Sequence, residues 1–122
     1  MPVRGLTIIV AEASSERFRV ALSIAAAQAA LGGTARIFCQ GEAVSMLGPP
    51  IRGTADGNYE KAGQPRLADL FEEVLGLDVA VIACQSGIDL TDIDARTLDP
   101  RITIGGLVGM MQASGDDRLL VV

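Results

Sequence analysis

The 122 residues contain no histidine and no tryptophan, a single tyrosine, three phenylalanines and two cysteines. Without imidazole there is no Ser-His-Asp triad, no Cys-His pair and no histidine metal ligand. With aromatics at 3%, the core has to be aliphatic. Cys39 and Cys84 stand far apart, with no C-x-x-C between them, so neither a disulfide framework nor a structural zinc site is expected. Basic residues are few and scattered: ten against fifteen acidic side chains leave a formal charge of -5. A phosphate backbone therefore meets no electrostatic footprint, and nucleic acid is not an expected partner. No apolar run is long enough to span a membrane, and no signal-peptide pattern follows Met1, which points to a cytoplasmic protein with reduced thiols.

What remains is a chain 49% apolar and 20% charged, of a size that builds one core and one domain, residues 1–122. The run Leu6 to Ala11 is continuous, apolar and rich in β-branched residues, as in a strand covered on both faces. Ser14 and Ser15 can cap a helix from Glu16 to Leu31, closed by Gly32 and Gly33. Thr34 to Cys39 reads as a second strand, and Glu42 to Leu47 as a turn or two of helix. Residues 48–63, with four glycines and two prolines, form the loop-like stretch, expected to be flexible and to lie as a lid near the functional edge of the sheet.

Leu67, Leu70, Phe71, Val74 and Leu75 recur at helical spacing, so Pro65 to Leu75 is read as an amphipathic helix. Asp78 to Ala83 is a third strand, Ile88 to Ala95 a short helix and Ile102 to Ile104 a fourth strand. Gly105 to Ala113 gives one more helix, and Leu119 to Val122 a last strand. Strands alternating with helices imply an α/β, flavodoxin-like three-layer sandwich: a five-stranded, mainly parallel sheet with expected order 2-1-3-4-5. No helix follows the last strand, so one face has fewer helices than a complete fold would carry. Another copy of the chain is the simplest cover for it.

Cys84 stands at the end of the third strand, with Gln85, Ser86 and Gly87 leading into the next helix. There a thiolate meets unpaired backbone N–H groups and the positive end of a helix dipole, both of which lower a cysteine pKa. Asp89, Asp92 and Asp94 oppose that effect unless Arg96 or Arg101 folds back. A free cysteine packed as a small apolar plug is the competing reading. Cys39 ends the second strand in the same way, as a core residue or an accessory thiol. In the order 2-1-3 an intervening strand holds the two sulfurs about 9.6 Å apart, beyond disulfide reach.

The first strand-to-helix turn, Ala11 to Glu16, holds no glycine and carries Glu12 and Glu16. The dinucleotide and phosphate-loop fingerprints are absent, so no cofactor is expected. Gly105-Gly106-Leu107-Val108-Gly109 reads as close packing.

The stretch Val79 to Gly87, ending Ala83-Cys84-Gln85-Ser86-Gly87, then Ile104-Gly105-Gly106-Leu107 and a closing strand, resembles the DsrE/DsrF-like family. That group includes the TusBCD-type sulfur-relay subunits. The likeness takes in the first strand, the alanine-rich helix ending in Gly32-Gly33, and the strand stopping at Phe38-Cys39. It implies a flavodoxin-like sandwich assembling as a homo-oligomer, trimer or hexamer, without nucleic acid or membrane. It also implies that Cys84 accepts and passes on persulfide sulfur from a donor protein to an acceptor. Two functions stand: a sulfur-transfer or thiol-redox subunit working through Cys84, with Gln85, Ser86, Gly87 and Cys39 around it, or a non-catalytic assembly module in which Cys84 is structural.

Overall fold

The computed structural model describes residues 3–122. In chain order the elements are β1 (Leu6–Val10), α1 (Ser15–Ala30), β2 (Ala35–Cys39), a 3-10 helical segment (Gly41–Leu47), α2 (Asp56–Lys61) and α3 (Leu67–Gly76). They continue with β3 (Ala80–Cys84), α4 (Gln85–Thr91), β4 (Thr103–Gly105), α5 (Leu107–Ser114) and β5 (Arg118–Val121). All four strand pairings are parallel. The α/β sandwich expected from the alternation of strands and helices is present.

The strand order is not the expected one. It runs β4-β3-β2-β1-β5, so β2 pairs with both β1 and β3, and β5 lies on the outer side of β1. Right-handed crossovers fix the hand of each unit but not the side of β1 on which the chain continues. Three successive crossovers move the same way, from β1 to β4, and the last one reverses across the sheet. The closing strand is held by bonds from the Arg118 N–H to the Gly5 carbonyl and from the Val122 N–H to the Ile9 carbonyl.

This order also divides the helices between the faces. Register places Leu6, Ile8, Val10, Ile37, Cys39, Val81 and Ala83 on one face. Against it lie α1 and α3, joined by Phe18 and Phe71 with ring centroids 5.8 Å apart. The β3-to-β4 connection runs on the same side, since Arg101 bonds to Glu72 on α3. The opposite face, with Thr7, Arg36, Ile82 and Thr103, carries α5 alone, tied down by the bond between the Ser114 and Thr7 hydroxyls at 2.9 Å.

Between residues 48 and 63 the chain is not loop throughout: Asp56–Lys61 forms α2. Its anchor is Arg19, a buried residue of α1. The guanidinium stacks 3.6 Å from the centroid of the Tyr59 ring and bonds to Asp56 at 2.7 Å and to the Pro65 carbonyl at 2.8 Å. Tyr59 donates to Glu16, and Asp56 accepts the N–H groups of Gly53 and Leu67. No helix among the described residues is long and apolar enough to cross a membrane.

Candidate functional site at the end of β3

Ligands of open α/β sheets bind beyond the carboxyl ends of the strands, where neighbouring connections leave toward opposite faces. Here that crevice falls between β3 and β4. The chain leaves β3 toward the α1/α3 side and leaves β4 into α5 on the other. The residues facing each other there are Cys84 and Gly105, which are register partners. Gly105 and Gly106 keep the β4 side free of side chains: a Cβ at Gly106 would have no neighbour within 4 Å, and one at Gly105 only the Ile82 side chain.

Cys84 is both the last residue of β3 and the N-cap of α4, with extended backbone angles of φ -66° and ψ 129°. Helix α4 therefore begins at Gln85, three residues before the expected start, and the donors of its first turn surround the sulfur. The Ser86 hydroxyl lies 3.0 Å from Sγ. Burial raises the thiol pKa, but the Ser86 hydroxyl and the N–H groups of Gly87, Ser86 and Gly41 outweigh it, so Cys84 titrates below the ordinary cysteine value. The arginines considered for that role are engaged elsewhere: Arg96 pairs with Asp94, and Arg101 with Asp99 and Glu72.

Two glycines make this arrangement sterically possible. Gly41 follows β2 with φ +55°, a conformation that side chains disfavour, and turns its N–H toward Cys84. Gly87 is where α4 meets the 3-10 segment, and a Cβ there would run into the Gly41 carbonyl and Val44. Gln85 points away, its amide donating to Asp89 at 3.1 Å. Cys84 is 4% exposed in the single chain.

Cys39 sits differently. It is fully buried, and burial alone pushes its thiol up to about 12. The strand expected between the two cysteines is not there, because β2 and β3 are neighbours. Cys39 is in register with Ala83, however, so the pleat points it to the face opposite that of Cys84. Both cysteines are free. The site thus gathers Cys84, Ser86 and Gly87 and leaves Gln85 and Cys39 outside.

Sequence reading missed Gly41, whose N–H reaches Cys84 from the end of the neighbouring strand. It also missed the cleft of about 300 Å³ beside the site, bounded by Ile82, Gly105, Gly106, Gly109 and Met110, with Arg36 at its far end. The cleft depends on the strand order, which no local pattern encodes. Among the described residues no cluster of three or more Cys, Asp or Glu side chains could hold a metal ion.

Solved structures share this fold. The ychN protein from E. coli superposes with a TM-score of 0.73 at 17% identity, covering 98% of this chain and 100% of that one. MTH1491 from Methanobacterium thermoautotrophicum, a protein of unknown function, gives 0.73 at 13% identity, covering 98% and 100%. BT1422 from Bacteroides thetaiotaomicron, a conserved protein of unknown function, gives 0.67 at 14%, covering 98% and 95%. No family model matches the chain, and no curated protein matches its sequence. At such identities the likeness establishes a shared architecture, spanning nearly the whole of each chain.

Proposed function

We propose that the protein carries sulfane sulfur on Cys84. The observation that supports this most is the ring of donors around Sγ, which favours the thiolate without any histidine. The resemblance of the Cys84 region to sulfur-relay subunits points the same way. In the first step the Cys84 thiolate attacks the outer sulfur of a donor persulfide. The donor's S–S bond breaks, its thiolate leaves and takes a proton from water, and Cys84 becomes Cys84–S–SH. In the second step an acceptor thiolate attacks that outer sulfur and Cys84 departs as a thiolate. No net oxidation occurs, and both leaving groups are thiolates, for which a low pKa is an advantage.

The competing reading is an assembly module in which Cys84 only packs, and the 4% exposure of Cys84 favours it. Mass spectrometry after incubation with a sulfane-sulfur donor separates the two. Sulfur carriage predicts a gain of about 32 Da, one sulfur atom, on Cys84. The adduct is to be lost on adding a thiol acceptor and absent in Cys84→Ser. A protein that never gains this mass while its fold is intact is an assembly module.

A further inference from the structure

We propose that the cleft between α5 and strands β3 and β4 binds a small organic acid: one carboxylate, held by Arg36, on a short apolar body. The proposal stands apart from sulfur carriage, and neither depends on the other. It starts from an arginine where the fold calls for an apolar residue. Arg36 lies on β2, a strand with neighbours on both sides, and on the face that α5 covers, with Thr7 and Ala80 as its register partners on β1 and β3. A cation is rarely placed on a covered sheet face without partners for its donors.

The partners within the chain account for one nitrogen only. Nη1 donates to an Asp117 carboxylate oxygen at 3.2 Å and to the Thr7 hydroxyl at 3.5 Å. Among the described residues nothing accepts from Nε or Nη2. These two nitrogens present parallel N–H donors that match the two oxygens of a carboxylate, a geometry that arginine offers and lysine does not. The side chain is 25% exposed and bounds the cleft of about 300 Å³, so an acid entering the cleft reaches it.

The rest of the cleft sets the rest of the molecule. Ile82 and Met110 line it with hydrocarbon, Gly109 leaves it open, and Thr103 is the one other polar residue on its wall. A volume at the lower limit of small-molecule pockets admits a short chain or a single ring. Charge sets the class of anion. The protein carries -5 and Asp117 stands on the Nη1 side of the guanidinium, so a phosphate dianion is repelled where the single charge of a carboxylate is balanced. Gly105, the register partner of Cys84, is also on the wall, which places the bound acid beside the sulfur.

Saturation-transfer NMR and calorimetry on the full chain test this, with hexanoate, hexanol and acetate as probes at millimolar concentration. Hexanoate is expected to bind. Hexanol keeps the chain and lacks the charge, acetate keeps the charge and lacks the chain, and each is expected to bind roughly tenfold more weakly or worse. Arg36→Met retains an apolar stem and is expected to bring hexanoate down to the affinity of hexanol. Because that change also takes the cation from Asp117, circular dichroism accompanies it, and Gly109→Leu supplies a second variant with Arg36 intact. Its side chain enters the cleft from a position where a Cβ meets no neighbouring element within 4 Å, and it is expected to abolish hexanoate binding. No binding of hexanoate, equal binding of hexanol, or hexanoate binding that Arg36→Met or Gly109→Leu leaves unchanged would each overturn the proposal.

Discussion

Cys84 and Cys39 end adjacent strands, share a residue type and differ in what the backbone does next. At Cys39 the chain continues past a buried position and the thiol finds no donor, which pushes its pKa up to about 12. At Cys84 the chain turns at once into α4, and four donors converge on the sulfur. Ser86 supplies the side-chain member of that set. Ser86→Ala is expected to raise the Cys84 pKa and slow its alkylation at neutral pH roughly three- to tenfold, the scale of one ordinary net hydrogen bond. Competition kinetics with iodoacetamide check it, and an unchanged rate would assign the shift to the backbone alone. The Cys-Gln-Ser-Gly stretch was legible in the sequence. The contribution of Gly41 was not, because it comes from the neighbouring strand and depends on β2 lying beside β3.

At the scale of elements, the sequence pattern located every strand of the described residues and every α-helix but α2, the shortest. The errors have physical causes. Helix α4 begins on Gln85, since Cys84 takes the cap position ahead of Ile88, the first apolar residue of the pattern. Helix α2 has no apolar face, so its residues read as loop. It is held by the polar contacts of Arg19, Tyr59 and Asp56, which no hydrophobic pattern records. Arg19→Met removes the cation from a partly buried pair and is expected to lower stability by about 1–3 kcal/mol, with faster amide exchange confined to residues 53–67. Urea denaturation and hydrogen exchange measure the two effects. Burial pulls the Asp56 pKa up, but the N–H groups of Gly53 and Leu67 and the charges of Arg19 and Arg66 bring it below the usual value near 3.8. A carboxylate depressed in the folded state stabilises it fully above the unfolded pKa and ceases to as pH falls through the folded one. The protection factors of residues 53–67, exchange rates corrected for the intrinsic pH dependence of amides, should therefore stay flat down to about pH 4 and fall below it, and a fall beginning near neutrality would contradict this. Gly87→Ala drives a methyl group into the Gly41 carbonyl and Val44, and a loss of about 1–3 kcal/mol in urea denaturation is expected.

Across the whole molecule, strand order decides what the faces expose. The expected order 2-1-3-4-5 and the observed β4-β3-β2-β1-β5 use the same units with the same hand, so no local signal separates them. The difference places the candidate site at the β3/β4 boundary and leaves exposed apolar residues around α5.

The central claim is chemical: a protein without histidine lowers the pKa of one thiol by means of neutral donors at the mouth of a sheet crevice. The rate of Cys84 alkylation against pH, read by mass spectrometry on the intact chain with Cys39 as internal reference, tests it most directly. The account predicts a midpoint for Cys84 below that of a free cysteine peptide, near 8.5, and no alkylation of Cys39 across the same range. A Cys84 midpoint at or above the peptide value would contradict it.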